Sequence, residues 1–82
     1  MDSDPVAMLV ACIQQQIRDL PEVNKAAKLR ALVGRVDQAM KYRANVTAAA
    51  TQLEQAANAA LDDDPWVQLH RTAADLVEAL NR

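Results

Sequence analysis

The sequence predicts a small all-α protein, an antiparallel helical bundle in which residues 1–82 form one domain. Two features of its composition favour helices. Alanine, a strong helix former, occurs 17 times in 82 residues, while the chain has no Phe and only one glycine, Gly34. Most sheets need β-branched or aromatic runs broken by glycine-rich turns. A third feature is that apolar residues recur at steps of three and four, the period of an amphipathic helix.

The first and last helices are predicted from a repeated start signal. Asp4-Pro5 and Asp64-Pro65 each place a capping carboxylate before a proline, whose fixed φ suits the first helical position. Pro21 ends the first helix, because the residue before a proline is pushed out of the helical region. We therefore expect helices at about residues 5–20 and 65–81. Their predicted buried stripes are Val6, Leu9, Val10, Ile13, Ile17 and Leu20, and Trp66, Leu69, Ala73, Leu76, Val77 and Leu80.

The middle segment allows two architectures. Residues 22–62 contain no proline and only Gly34, which favours one long central helix in a three-helix bundle. The apolar stripe of the first half (Leu29, Leu32, Val33, Val36, Met40) is however rotated by roughly 100° from that of the second half (Val46, Ala50, Leu53, Ala57). The alternative is therefore a break near Asn45 and a four-helix up-down bundle.

Two apolar segments are predicted to contact another protein chain. Residues 6–13 contain no polar side chain, so one packed neighbour would leave part of this helix uncovered. In the second half of the middle segment, closely spaced alanines favour a tight helix-on-helix seam. The alternatives are a central position of the first helix in a monomer and simple helix propensity of the alanines. The interface candidates are Met8, Leu9, Ala11, Cys12, Val46, Ala50, Leu53 and Ala57.

Charge is segregated along the middle segment. Residues 22–43 carry six basic and two acidic residues, a balance of +4, whereas residues 44–64 carry four acidic and no basic residues, a balance of −4. Antiparallel pairing of two copies would match the opposite charges, and in a four-helix chain the same match could form internally. The alternative is that a basic face of Lys25, Lys28, Arg35 and Arg43 binds the phosphates of a nucleic acid. Against it, the chain is net negative and lacks interleaved aromatic residues.

The sequence carries no recognisable catalytic or metal-binding constellation. The candidate reactive side chains are His70, Cys12 and Ser3, and no partner is placed for them by a known spacing. His70 is expected to be a boundary residue bonded to water or backbone. The run Asp62–Asp64 is explained by helix capping. We therefore predict no enzyme activity, no cofactor and no metal.

The location predicted for the chain is the cytoplasm. Its single cysteine cannot form an internal disulfide, and no secretion leader is visible. The longest apolar run is the eight residues 6–13, whereas a membrane-spanning helix needs about 20. We expect no membrane contact.

The function expected from these features is a non-enzymatic protein-protein interaction module that forms a homodimer. Small acidic helical proteins of this kind are often adaptors, assembly factors or inhibitors of a larger protein, including those encoded by bacterial phages and plasmids. The main alternative is a small DNA-binding regulator that uses the basic face, and a weaker one is a structural subunit of a larger assembly. The identity of the protein partner is not encoded in any recognisable motif.

Overall fold

A computed structural model of the protein describes residues 4–82 and contains four helices in that range. They are α1 (Pro5–Arg18), α2 (Asn24–Tyr42), α3 (Val46–Ala59) and α4 (Asp64–Leu80). The all-α prediction is therefore confirmed for the described residues, which contain no strand. None of these four helices has the length and apolar character needed to cross a membrane.

The four helices form a closed ring in which each one packs against its two neighbours. Over residues 4–82, α1 packs against α2, α2 against α3, α3 against α4 and α4 against α1, whereas no Cα atoms of the diagonal pairs α1–α3 and α2–α4 lie within 8 Å of each other. Lys25 at the start of α2 bonds Asp62 just beyond α3, and His70 early in α4 bonds Glu54 late in α3. Neighbouring helices therefore run antiparallel, as in an up-down bundle.

The predicted long central helix over 22–62 is wrong, and the alternative with a break near Asn45 is correct. Arg43 follows α2 in the left-handed conformation, with φ of 52°. The Arg43 N–H donates to the Met40 carbonyl at 3.3 Å and the Ala44 N–H to the Ala39 carbonyl at 2.8 Å, the bond pair of a Schellman motif. Asn45 then caps α3, its Oδ1 accepting from the Ala48 N–H at 3.1 Å.

The reason for the break is that it brings two differently phased apolar stripes into one core. A straight helix would point the stripes of α2 and α3 in directions about 100° apart, and one of them would face water. After the three-residue link Arg43–Asn45, both stripes face inward. The buried core comprises Val10, Ile13, Ile17, Leu20, Ala26, Leu29, Val33, Val36, Ala50, Leu53, Ala57, Trp66, Leu69, Ala73 and Leu76.

The helix ends differ from the predicted ones by up to three residues, the largest difference being the end of α3 at Ala59 and not at 62. The Val6 N–H donates to Asp4 Oδ1 at 3.0 Å, so Asp4 caps α1 as predicted. Helix α1 ends at Arg18 rather than 20, although Leu20 still reaches the core from the loop. Asp64 is the first residue of α4 and not its cap; Asp63 occupies the cap position without a side-chain bond to the helix.

Candidate interaction surfaces

Helix α1 exposes an uncharged strip to solvent. Met8 is 61% exposed, and Ala11, Cys12 and Gln15 are exposed beside it at helical spacing. We call these four residues the α1 face. Residues 5–17 contain no charged side chain. Most of an exposed helix surface is normally polar or charged, so this strip is a candidate contact surface.

The eight predicted interface residues divide into two groups. In the first helix, Met8, Ala11 and Cys12 are exposed and Leu9 is half-buried. In α3, Val46 is half-buried, whereas Ala50, Leu53 and Ala57 are only 0–1% exposed because they form the core face of that helix. The expected alanine seam therefore closes inside one chain. These three buried residues offer no surface to a partner of the folded monomer.

The predicted basic face is partly occupied by contacts within the chain. The Lys25 ammonium lies 3.2 Å from Asp62 Oδ2 and 4.2 Å from the centroid of the Trp66 ring. It also donates to the Ala60 carbonyl at 3.4 Å. This cation-π contact and the half-exposed ion pair each contribute about 0.5–1 kcal/mol at most. Lys25 therefore links the start of α2 to the end of α3, and its bond to Asp62 is one ion pair between the basic and the acidic segments.

The other three residues of the predicted basic face are exposed to solvent. Lys28, Arg35 and Arg43 are exposed, and no carboxylate of residues 4–82 lies within 4.0 Å of them. Lys28 and Arg35 are seven residues apart, about 10 Å along the helix, and share one flank. Arg43 lies just beyond the end of α2, in the left-handed conformation, and is not part of its helical flank. Only Lys28 and Arg35 therefore form a continuous basic stripe.

A groove between α2 and α3 is a surface that the sequence patterns did not indicate. Its larger cavity, about 350 Å³, is lined by Lys28, Leu32, Gln52, Gln55, Ala56 and Ala59. A second cavity of about 190 Å³ shares Lys28, Ala56 and Ala59 and extends towards Lys25. The groove exists because α3 presents alanines where longer side chains would fill the space. The alanine-rich composition was the available signal, but the pairing of helix sides could not be read from it.

The titratable side chains of the described residues form no metal-binding cluster. No group of three or more His, Cys, Asp or Glu residues converges among residues 4–82. His70 Nε2 lies 3.1 Å from Glu54 Oε2, so its partner is a carboxylate and not the water or backbone expected. Cys12 is a free, exposed thiol. Ser3, the other nucleophile considered, lies outside the described residues.

No family model, no curated protein and no solved structure matches this sequence. The indications of function in residues 4–82 are therefore the α1 face, the basic stripe and the groove between α2 and α3.

Proposed function

We propose that the chain is a non-enzymatic helical interaction module that pairs with a second copy of itself through the α1 face. In this proposal the other helix faces remain available to a larger protein, as in an adaptor, assembly factor or inhibitor. The observation that carries the proposal is the 61% exposure of Met8 on a strip without charges. Burial of such a side chain on association contributes roughly 1.5–3 kcal/mol.

The absence of charge on the α1 face supports a second copy as the occupant. In a two-fold dimer the residues near the axis meet their own counterparts, so a charged side chain there would face an identical charge. Met8, Ala11, Cys12 and Gln15 meet their counterparts without such repulsion. The first charged side chain of α1 is Arg18, in its last turn. Contacts between small and flexible apolar side chains also tolerate imperfect packing.

The size of the α1 face predicts a weak dimer. The four residues of the α1 face span residues 8–15, which corresponds to a strip of about 10 by 10 Å, or roughly 100 Å². Stable interfaces bury about 800 Å² on each partner. We therefore expect the contact to extend onto the flanking helices and the dissociation constant to exceed about 1 μM.

Sedimentation equilibrium over a wide concentration range tests this proposal. The wild-type mass should rise from 9.0 kDa towards twice that value as concentration increases. The double variant Met8→Glu with Cys12→Glu should remain monomeric while its circular dichroism stays helical. The matched control is Ala48→Glu with Leu61→Glu, which changes two exposed apolar residues on α3 and on the link after it, away from α1 and the two helices that pack against α1, and should still dimerise. A wild type that stays at 9.0 kDa, or equal loss in both variants, would contradict the proposal.

A second candidate function is a DNA-binding regulator, which Lys28 and Arg35 favour because both are exposed and neither pairs with a carboxylate of residues 4–82. Phosphate contacts by these side chains would make binding fall steeply with salt. The variant Lys28→Glu with Arg35→Glu should then abolish binding to a DNA duplex and reduce the salt slope by about 2. A wild type that fails to bind duplex DNA even at low salt would exclude this function.

A further inference from the structure

The groove between α2 and α3 combines an apolar floor with a basic rim on one side only. The floor consists of Leu32 and Ala56, both half-buried, and of Ala59. Lys28 forms the rim on the α2 side. Arg35 lies beyond the cavity lining, seven residues further along α2 on the same flank of that helix. The α3 side carries the neutral amides of Gln52 and Gln55. An occupant of this groove therefore meets an apolar centre, one cationic edge and one hydrogen-bonding edge.

The small side chains of the floor allow a helix to approach closely. Helices pack with axes 8–10 Å apart, and small residues at the contact give the shorter distances. A groove between two neighbouring helices is a surface on which an amphipathic helix can bind. The cavity of about 350 Å³ is open along the groove, so an apolar side chain of a third helix can enter it.

The charges around the groove indicate that the partner carries negative charge. Lys28 has no carboxylate within 4.0 Å among residues 4–82, and neither has Arg35. Among the six residues that line the larger cavity, none is acidic. A partner with carboxylates along one edge would therefore gain two ion pairs and meet no repulsion from the lining.

We infer that the α2–α3 groove binds an amphipathic helix of another protein, with its apolar stripe on Leu32 and Ala56 and its acidic edge beside Lys28 and Arg35. This inference rests on the proposed function as an interaction module but uses a surface separate from the α1 face. A nucleic acid fits the groove less well, because its phosphates would leave the apolar floor uncovered. The lining also contains no aromatic ring on which a base could stack.

Nuclear magnetic resonance titration of the full ¹⁵N-labelled chain with a synthetic peptide tests the inference. The probe is an end-capped helix of about five turns with Leu and Ala on one face and Glu along its edge. Two control peptides replace every Glu by Lys, or scramble the sequence at the same composition. The acidic helix should shift the amide signals of Leu32, Gln52, Gln55 and Ala56, and the two controls should not.

The protein variants form a matched pair on one helix. Lys28 lies on the groove side of α2, whereas Lys41 is an exposed lysine about 140° away around the helix. Lys28→Glu replaces an attraction with a repulsion, so it should weaken peptide binding about fivefold. Lys41→Glu should leave the affinity nearly unchanged. Ala59→Glu, which fills the groove and repels the acidic edge, provides a second test at an exposed position.

Three results would overturn the inference. The first is the absence of chemical shift changes in the groove at about 1 mM acidic peptide. At this concentration the titration detects a dissociation constant near about 1 mM, which is a binding free energy of about −4 kcal/mol. The second is an equal effect of Lys28→Glu and Lys41→Glu. The third is a DNA duplex that shifts the groove signals when the peptide does not, which would favour the regulator. Because these readouts concern α2 and α3, failure here is distinguishable from failure of dimerisation through α1.

Discussion

Replacement of Arg43 by glycine is expected to stabilise the protein, although it removes a charged side chain. Arg43 adopts a φ of 52°, in the left-handed region that costs a residue with a Cβ roughly 1–2 kcal/mol. Glycine relieves this cost but loses about 0.5–1 kcal/mol more conformational entropy on folding. The net gain should be about 0.5–1 kcal/mol. The Arg43 side chain is exposed and makes no ion pair within residues 4–82, so no contact offsets the gain.

The assay is urea unfolding followed by circular dichroism, with Arg35→Gly as the control. Arg35 is exposed inside α2, where glycine should destabilise by about 1 kcal/mol. The same substitution eight residues apart therefore has opposite expected effects on the free energy of unfolding, and a change of 1 kcal/mol moves the urea midpoint by roughly 0.3–1 M. All chains are compared at one protein concentration, because dimerisation adds stability by mass action. If Arg43→Gly destabilises as much as Arg35→Gly, residue 43 is helical and the break between α2 and α3 is incorrect.

Three further substitutions test the core and the helix ends by the same urea assay. Trp66 is 4% exposed, so Trp66→Ala should lower the free energy of unfolding by about 3–5 kcal/mol, and Trp66→Phe should lower it clearly less. A loss below about 1 kcal/mol for Trp66→Ala would place the ring outside the core. A Cβ added at Gly34 meets no atom within 4 Å, so Gly34→Ala should raise the free energy of unfolding by about 0.5–1 kcal/mol. A decrease would indicate a contact on that side of α2. Asn45→Ala removes the cap of α3 and should lower the free energy of unfolding by about 1 kcal/mol, whereas Asn45→Asp should leave it nearly unchanged. Equal losses in both variants would argue against the cap.

Much of the fold could be predicted from the sequence because its signals are local. The Asp4-Pro5 pair marks the start of α1, and the apolar period marks which sides of the helices are buried. The break at residues 43–45 was harder to predict. Helix ends in the left-handed conformation usually carry glycine, and here an arginine occupies that position. The correct indication was the rotation between the two apolar stripes, which a single straight helix could not bury.

The surfaces could be predicted only in part, since an apolar stripe looks the same whether it faces its own chain or a partner. Ala50 and Leu53 have the spacing of an interface and lie in the core, whereas Met8 and Cys12 lie outside the core stripe of α1 and are exposed. The difference depends on how many neighbours each helix has, which is a property of the tertiary fold. The groove between α2 and α3 depends on the fold in the same way.

The most direct test of the proposed pairing is an isotope-filtered nuclear Overhauser experiment on an equal mixture of two preparations. One copy carries ¹³C-labelled methionine methyl groups and the other is unlabelled, so only contacts between copies give signals. The proposal predicts signals from the Met8 methyl to protons of Met8, Ala11 and Cys12 in the unlabelled copy. Absence of intermolecular signals at about 1 mM protein, or signals from the half-buried Met40 alone, would contradict pairing through the α1 face.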